Sequence, residues 1–497
     1  MTQFVNRLEE LDRLQSLYAS DTAELAIVYG RRQIGKSELV RRSIADRDDA
    51  VYYQAVQGTA TTQLRRFVEA AATTYPDITA VKEEWEPLVT YLTERDAIIV
   101  IDEFPYLIES NEGLPSIIQH LWDTAVDESQ ATLVLTGSAI GMIHTHVLDG
   151  GAPLYGRVSQ TPNGRVELTQ LPFHSIKAFV PTYTSEQRVF VYGVFGGTPR
   201  YLTPLDPARS LGENITRLLY DPDGPLHNEP ETVLQMELTE VNTYFSILES
   251  MASGNRSRHE IAQGAGIEST NTSYYFDRLD TLQIIEKHYP ALVEPARSKR
   301  TRYQIRDPVF RFYFRYLYGR GGQYDLYGES AYEDLIQPEL ADFVSETFES
   351  LCHQAVPALY PDYQLTQVPS QWWYKGREID VVAPTDQSTL IAGEAKFTST
   401  PLGYAVLATL EDDISHIDWT PTGGGEPTYE FALFSRAGFK RSVEEAADER
   451  DNLRLFDLSD IVAVLEHESD RCCLRDSVPP LLWHNRKGAS ALAEQTV

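Results

Sequence analysis

The stretch Gly30-Arg31-Arg32-Gln33-Ile34-Gly35-Lys36-Ser37 matches the pattern G-x-x-x-x-G-K-[ST] in full. An apolar run, residues 25–29, precedes it, and Glu38-Leu39-Val40 follows it with helical spacing. Glycines at both ends permit a tight turn whose N–H groups cradle an anion at a helix N-terminus. The pattern predicts a strand, a phosphate-binding loop and a helix. We expect Lys36 to reach the β- and γ-phosphates of a nucleotide, Ser37 to hold Mg²⁺, and the rest of the stretch through Glu38 to line the cofactor.

A second apolar run, Ala97-Ile98-Ile99-Val100-Ile101, ends in Asp102 and Glu103. Such a run is typical of a central parallel strand, and open α/β sheets bind their ligands at the carboxyl ends of strands. We expect Asp102 to bind Mg²⁺ and Glu103 to polarise an attacking water molecule. A buried strand before a solvated acidic turn is the alternative for this run alone. Together with the phosphate loop, the run that ends in Asp102 and Glu103 predicts a nucleoside triphosphate site.

The 497 residues are enough for roughly two to four domains. No apolar run approaches the roughly 20 residues of a membrane span, and the first residues lead into a polar helix rather than a signal peptide. The three cysteines, Cys352, Cys472 and Cys473, show neither a disulfide framework nor zinc spacing. We therefore expect a soluble, cytoplasmic protein with no membrane partner.

The formal net charge is −30, which ordinarily argues against nucleic-acid binding. The acidic residues are spread over the whole chain, and lysine is scarce relative to arginine. This composition resembles that of proteins from salt-in halophiles, so we interpret the charge as adaptation and predict a haloarchaeal origin. On that interpretation the charge says little about partners.

The N-terminal segment Phe4-Val5-Asn6-Arg7-Leu8-Glu9-Glu10-Leu11-Asp12-Arg13-Leu14 fits F-x-x-R-x-x-E-L-x-x-L, and the phosphate loop fits Y-G-R-R-x-x-G-K-[ST]-E-L. Together they resemble the archaeal ATPase family of the AAA+/STAND P-loop class. The resemblance implies ATP as the cofactor and places Val5 and Arg7, with Asn6 between them, near the adenine. The alternative for Arg7 is an exposed residue at a helix start.

The same resemblance implies three further roles. The run 131–138 is a buried-type strand that ends in hydroxyls, and Ser138 or Thr136 would sense the γ-phosphate, although a turn that caps the next helix explains either residue. Arg157 would be an arginine finger, which in trans requires a homo-oligomer; its alternative is a surface salt bridge. Arg200 would be a sensor-2 residue, since it lies in residues 196–202, which match the family's lid motif G-G-x-P-x-Y-L; turn geometry alone also explains the glycines and proline of that motif.

From about residue 242 the pattern predicts two helices around a glycine turn, then a basic hairpin, as in a winged helix-turn-helix. On DNA the second helix would present Asn271, Ser273 and Tyr274, while Lys299, Arg300 and Arg302 would contact the backbone. A lid or interaction module is the alternative. The aromatic run 307–317 is interpreted as a packed interdomain helix rather than a stacking surface for single strands.

The C-terminal third carries a second pattern, in which Asp380 precedes a turn and Glu394-Ala395-Lys396 lies on the next strand. Side chains alternate along a strand, so Glu394 and Lys396 share a face. This is the D…(D/E)-x-K arrangement of restriction-type nucleases. We expect Asp380 and Glu394 to bind Mg²⁺ with Glu349 from the preceding helix, and Lys396 to orient or activate water.

The full string W-W-x-x-x-x-E-I-D-V-V-A, then G-E-x-K, then Phe434-Ser435-Arg436-Ala437-Gly438-Phe439 is more specific. It resembles the PD-(D/E)XK nuclease-like domain of unknown function that follows archaeal ATPase modules. The alternative is a structural fold whose acids form salt bridges with Lys396. Glu378 and His416 are weaker site candidates.

We therefore predict an α/β multidomain chain. Its expected parts are a P-loop ATPase core with a parallel sheet at 1–170, a helical lid at 171–238, a winged helix at 239–318, a restriction-endonuclease-like α/β domain at 319–485 and a tail at 486–497. The predicted function is ATP hydrolysis with Mg²⁺ that controls access of DNA or RNA to a second Mg²⁺ site. The rivals are a STAND-type regulatory switch with a non-catalytic C-terminal module, and a winged-helix DNA-binding regulator.

Overall fold

The computed structural model of the chain describes residues 4–124, 129–268, 272–295, 298–320, 322–421 and 424–471. Five strands in its N-terminal part are β1 (Glu24–Tyr29), β2 (Ala50–Gln54), β3 (Ile98–Asp102), β4 (Thr132–Gly137) and β5 (Arg165–Glu167). They form a wholly parallel sheet in the order β2-β3-β4-β1-β5. Because β4 lies between β1 and β3, the phosphate loop and the acidic strand end flank the end of β4.

Helices cover both faces of this sheet, and two separate apolar clusters lie beneath them. The helices are α1 (Leu8–Tyr18), α2 (Lys36–Ser43), α3 (Ala60–Ala71), α4 (Trp85–Thr93), α5 (Pro105–Ser110), α6 (Leu114–Thr124), α7 (Ile140–Ile143) and α8 (Tyr155–Gln160). The strands β1, β3 and β4 are buried almost throughout, as expected for a sheet covered on both sides.

The middle of the chain is mainly helical. Its elements are α9 (Ile176–Phe179), α10 (Ser185–Phe195), α11 (Pro199–Leu202), α12 (Leu211–Ile215), α13 (Glu229–Glu237), α14 (Val241–Ala252), α15 (Arg258–Gly264), α16 (Thr272–Thr281), the antiparallel pair β6 (Ile285–His288) and β7 (Arg302–Ile305), and α17 (Pro308–Phe312). The two helices and the hairpin predicted after residue 242 are α15, α16 and β6–β7. Asn271 lies outside the described residues.

The C-terminal part contains a second five-stranded sheet. Its elements are α18 (Gly322–Tyr327), α19 (Leu340–Leu359), β8 (Ser370–Tyr374), β9 (Arg377–Pro384), β10 (Thr389–Lys396), α20 (Tyr404–Ile414), β11 (Thr428–Ser435), α21 (Arg441–Asp448), β12 (Leu453–Asp457) and α22 (Leu458–Arg471). Strands β8, β9 and β10 are antiparallel, and β11 and β12 continue the sheet parallel to β10. Cys472, Cys473 and the predicted tail lie beyond the described residues.

Short 3₁₀ or π-helical turns complete the structure, at Pro76–Ala80, His144–Leu148, Phe173–Ser175, Thr216–Tyr220, Tyr313–Leu317, Gly328–Ser330, Tyr332–Ile336 and Gln337–Glu339. The prediction for the aromatic run 307–317 is confirmed, because Phe310 and Phe312 are fully buried and Tyr316 is nearly so. Within the described ranges, no helix is both long and apolar enough to cross a membrane.

One apolar cluster is continuous from Leu171 to Leu465. It joins the helical middle of the chain to α19, α22 and one face of the C-terminal sheet. A separate cluster lies under α20 on the other face of that sheet. The C-terminal sheet is therefore packed directly on the helical middle segment.

Candidate functional sites

The phosphate loop has the backbone that its glycines predict. Gly30 and Gly35 have φ of +150° and +100°, values that residues other than glycine rarely adopt. A Cβ at Gly30 would also collide with the carbonyl oxygen of Leu168. Gly35 stands directly before α2, so the loop delivers its N–H groups to a helix N-terminus.

Lys36 is buried at the bottom of this loop. Its Nζ donates to the carbonyl oxygens of Gly30, at 3.0 Å, and Arg31, at 2.8 Å. Burial lowers the pKa of Lys36 to about 8, although the charges of Glu103 and Asp102 favour the ammonium form. Phosphate oxygens would offer this ammonium stronger, charged acceptors.

The acidic end of β3 is held by hydroxyl groups. Asp102 is fully buried, and its carboxylate accepts hydrogen bonds from the hydroxyls of Tyr52, at 2.6 Å, and Thr136. Glu103 accepts from the hydroxyl of Ser138 at 2.7 Å. Glu103 also has a left-handed backbone, with φ of +56°, and such strained positions occur often at functional sites. The predicted residues Asp102, Glu103 and Ser138 therefore lie together.

The two loop arginines point away from the rest of the site. Arg31 donates to Asp307 at 2.8 Å, and Arg32 donates to Glu237 at 3.0 Å. Asp307 caps the N-terminus of α17, and Glu237 is the last residue of α13. These two predicted cofactor-binding side chains thus pair with the helical middle of the chain. Gln33 and Glu38 are exposed, Ser37 is half-buried and Ile34 is buried.

The N-terminal box contacts the segment that follows β5. Arg7 is buried and donates to the carbonyl oxygen of Thr169, while Asn6 lies 3.2 Å from both His174 and Ser175. The alternative of an exposed Arg7 is therefore wrong. Val5 is half-buried, and its predicted position near the adenine stays a prediction.

Arg157 lies on the surface. Its Nε is 2.5 Å from Asp123 Oδ1, so it forms the surface salt bridge named as its alternative. The arginine-finger role stays a prediction. Arg200 is exposed, one residue after Pro199, which packs beside Gly35 of the phosphate loop. The lid motif therefore lies against the phosphate loop.

The second predicted site comes together around one ammonium group. Lys396 Nζ lies 2.7 Å from Asp380 Oδ2 and 2.6 Å from Glu394 Oε2. The N–H of Ala395 also donates to Asp380 at 3.0 Å. Both carboxylates are buried, whereas the Lys396 side chain is 38% exposed. The site therefore opens to solvent through Lys396.

Glu349 on α19 belongs to the same electrostatic group. Its pKa is raised to about 8, first by burial and then by the charge of Asp380. Burial and Asp380 likewise raise the pKa of Glu394 to about 7, although Lys396 opposes the shift. Among the described residues, no group of three or more His, Cys, Asp or Glu side chains has the arrangement of a metal site. Lys396 occupies the space between the two carboxylates that a cation would share.

Some site residues were not predicted. The sequence patterns give Tyr52 no role at the site, yet its hydroxyl donates a hydrogen bond to the Asp102 carboxylate. Gln371 bridges towards the second site, because its Nε2 donates to Glu378 at 2.5 Å and lies 3.5 Å from Glu349. Tyr52 pairs in register with Val100, two residues before Asp102, so its place in the neighbouring strand is only a weak signal. The position of Gln371 carries no signal in the sequence.

The parallel sheet, the phosphate loop and the acidic end of β3 define a P-loop ATPase. The model of a family described as an ATPase domain predominantly from Archaea matches residues 4–205. A second family, of archaeal and bacterial proteins of unknown function, matches residues 313–406.

An uncharacterized protein of Methanocaldococcus jannaschii is 32% identical over 396 residues, which are 77% of this chain and 84% of that protein. An uncharacterized ATP-binding protein of the same organism is 38% identical over 47 residues, 10% of this chain and 80% of that protein. A solved Walker-type ATPase of Pyrococcus abyssi is 17% identical with a TM-score of 0.48, over 63% of this chain and 96% of that one.

The chain belongs to this family of archaeal P-loop ATPases. ATP binding and hydrolysis are therefore its activity, and the family implies Mg²⁺ with the nucleotide. The donor set at the phosphate loop fits both, since it combines Lys36, the Ser37 hydroxyl and the Asp102 carboxylate.

Proposed function

We propose that ATP hydrolysis at the phosphate loop controls a site for phosphodiesters at Asp380, Glu394 and Lys396, with DNA or RNA as the substrate. At the nucleotide, Lys36 binds the phosphates, Ser37 and Asp102 hold Mg²⁺, and Glu103 orients the attacking water. The observation that supports the coupling is the position of helix α10, which packs on Phe397 beside Lys396 and leads into the lid motif at the phosphate loop.

The C-terminal end of α10 leads into the lid motif, which lies against the phosphate loop. The helix runs into Gly196 and Gly197, and Leu171 donates to the carbonyl of Gly197 at 2.8 Å. Pro199 follows, and its Cγ lies 3.9 Å from where a Cβ at Gly35 would be. The lid motif therefore contacts the phosphate loop directly, so a movement of the loop can be passed to the lid motif.

The body of α10 packs on the second site. Phe190 meets the ring of Phe397 with centroids 5.2 Å apart, and Phe397 directly follows Lys396. Phe397 also packs on Phe348, the neighbour of Glu349, at 5.1 Å. A movement of α10 would therefore reach the backbone that carries Lys396 and the helix that carries Glu349.

The chemistry at the second site supports phosphodiester cleavage. The order α19, three antiparallel strands, α20 and the parallel strand β11 supports the restriction-endonuclease-like fold. Asp380 and Glu394, with Glu349, would hold Mg²⁺ once Lys396 Nζ moves aside, and the metal would supply an activated water and a Lewis acid. Lys396 would then stabilise charge on the phosphorus.

The test is metal-dependent cleavage of labelled DNA and RNA with and without ATP, at multimolar KCl because of the acidic composition. We compare the wild type with Lys36→Ala, Asp380→Asn and the control Asp386→Asn, which changes an exposed carboxylate in the turn between β9 and β10. Cleavage that needs ATP, Lys36 and Asp380 but not Asp386 supports the proposal.

One observation favours a second function. Lys396 bridges the two carboxylates, and the described residues show no metal group, as expected if the C-terminal sheet is a non-catalytic binding module of a regulatory switch. ATP turnover with nucleic-acid binding but no cleavage at any Mg²⁺ or Mn²⁺ concentration would establish that function. Under either function, an arginine finger at Arg157 that acts in trans requires a homo-oligomer. Light scattering in the presence of ATP tests for that oligomer.

The winged-helix regulator has less support. Arg302, predicted to contact DNA backbone, instead donates to Glu378 at 2.9 Å and stacks on Trp373 of the C-terminal sheet. Ser273 accepts a hydrogen bond from Arg258, whereas Tyr274 is exposed. The β6–β7 hairpin of the predicted winged helix therefore contacts the C-terminal sheet beside the second site through Arg302.

A further inference from the structure

Two hairpins meet beside the second site and bring cations together. The first is the turn between β8 and β9, at Lys375 and Gly376, where both residues have positive φ and a Cβ at Gly376 would have open space around it. The second is the segment before β7, which carries Lys299 and Arg300. We name the group of Lys299, Arg300 and Lys375 the cationic tip.

Tyr374 is the centre of the cationic tip. Its side chain is exposed, with the guanidinium of Arg300 and the ammonium of Lys375 each 4.9 Å from its ring centroid. Arg300 also donates to the carbonyl oxygen of Trp373 at 2.8 Å, which fixes the first hairpin against the second. Cations held over an aromatic ring keep their charge and remain available to an anion.

The neighbouring cations are neutralised, but those of the cationic tip are not. Arg302 pairs with Glu378, and Arg377 pairs with Asp412 and Asp413. Within the described part of the chain, Lys299, Arg300 and Lys375 form no ion pair. In a chain of net charge −30, an uncompensated positive group at an exposed tip fits a polyanion.

The cationic tip lies close to the carboxylates of the second site. From Arg377 at the turn to Asp380 is three residues of β9, or about 10 Å at the rise of a strand. On the other side, Arg302 reaches Gln371 at 3.1 Å, and Gln371 lies 3.5 Å from Glu349. A strand bound at the tip would thus have a phosphate within about three nucleotides of the acids.

We infer that Lys299, Arg300 and Lys375 bind the phosphodiester backbone of a nucleic acid and guide it to Asp380 and Glu394. This inference rests on the proposed function, since it names the entry surface of the same site. Phosphate contacts of this kind position a strand without reading its sequence.

The test is binding of fluorescein-labelled single-stranded DNA, and of RNA of the same sequence, by the full chain over a KCl series in which the protein stays folded. The variant is Lys299→Ala/Arg300→Ala/Lys375→Ala. Its charge-matched control is Arg65→Ala/Lys82→Ala/Arg441→Ala, three exposed cations on other surfaces.

We expect the tip variant to bind nucleic acid at least about tenfold more weakly than the wild type. The slope of the logarithm of the association constant against log[KCl] should become less steep by about 2, since each lost phosphate contact removes about 0.7. The control should match the wild type. Because Arg300 also fixes the two hairpins, Lys299→Glu/Lys375→Glu provides a second variant that leaves that contact intact.

The outcomes separate the two claims. Wild-type binding with unchanged affinity and slope in both tip variants overturns the inference and leaves the proposed function standing. A wild type that binds neither DNA nor RNA overturns the proposed function, and the inference with it. Equal competition by poly-L-glutamate would indicate an acidic protein partner and would also overturn the inference.

Discussion

Arg31 in the phosphate loop donates a hydrogen bond to Asp307, which lies 276 residues further along the chain. The Asp307 side chain is only 1% exposed, and its other oxygen accepts from the N–H of Val309 at 2.9 Å, which caps α17. The phosphate loop is thus joined to α17, the helix that begins the aromatic run. An incoming phosphate would compete with Asp307 for Arg31.

Arg31→Ala should lower the free energy of unfolding by about 3 kcal/mol, because it leaves a buried carboxylate without its cation. Urea unfolding measures this loss. Asp307→Asn in the Arg31→Ala background should restore part of it, because the uncharged amide no longer needs the guanidinium. An Arg31→Ala protein as stable as the wild type would contradict the pairing, and Arg200→Ala, a change at an exposed arginine, is the control.

Lys36→Ala and Glu103→Gln should separate ATP binding from hydrolysis. We expect Lys36→Ala to lose measurable ATP binding, since it removes the cation at the bottom of the loop. Glu103→Gln should keep the Kd for ATP but lower kcat by about 100-fold or more, as for a lost general base. Calorimetry and phosphate release measure the two quantities. Glu109→Gln, at an exposed position on α5, should leave both unchanged.

Because Ser138 donates a hydrogen bond to the Glu103 carboxylate, we expect Ser138 to be a positioning residue. Ser138→Ala removes the 2.7 Å hydrogen bond to the carboxylate and should lower kcat about tenfold, in line with a bond to a charged group. The Kd for ATP should not change. Ser138→Thr keeps the hydroxyl and should recover most of the rate; if it were as slow as Ser138→Ala, the hydroxyl would not be the cause.

Much of the nucleotide site could be predicted because its signal is local. The glycine spacing and the run before Asp102 fix where Lys36, Asp102 and Glu103 lie, since strand ends of a parallel sheet share one edge. Likewise, the spacing of Glu394 and Lys396 placed them on one face with Asp380 nearby.

The packing between the two sites could not be predicted. The pair of Arg31 with Asp307, and the contact of Phe190 with Phe397, join residues far apart in sequence and carry no periodic signal. For the same reason Arg302, a surface cation by pattern, was not expected to face Glu378. Charge and hydropathy predict that a side chain needs a partner but not which distant segment supplies it.

Gly193→Ala tests the contact between α10 and α19. A Cβ at Gly193 would lie 2.6 Å from Val344 Cγ2, so we expect a loss of about 1–3 kcal/mol from overpacking. Val344→Ala should relieve part of that loss in the double variant, as urea unfolding would show. Gly156→Ala, in helix α8 with open space around it, should instead stabilise by a few tenths to about 1 kcal/mol.

If α10 transmits the nucleotide state, the Gly193→Ala/Val344→Ala protein should also show weaker dependence of nucleic-acid cleavage or binding on ATP, at unchanged ATP turnover. Full ATP dependence in this variant would assign the coupling to another contact.

Glu346→Gln should reduce the sensitivity of the fold to acid. Burial alone would raise the pKa of Glu346, but Arg311 and Arg256 outweigh it and hold the pKa below its ordinary value of 4.5. The stabilisation is therefore complete above about pH 4.5 and is lost as the pH falls through the lower, folded-state pKa. Urea unfolding from pH 7 to 3 should show a lower stability at pH 7 and a shallower decline for this variant than for the wild type. A surface change, Glu445→Gln, should leave the profile unaltered.

The apolar cluster that runs without a break from Leu171 to Leu465 has a consequence for how the chain can be divided. A protein cut near residue 318 would expose the buried faces of both pieces to water, so neither piece is expected to be soluble by itself. A cut near residue 170 separates that cluster from those of the parallel sheet. Heating should accordingly give two calorimetric transitions rather than one for each of the four predicted domains. Only the cut near residue 170 should yield fragments that can be purified and recombined.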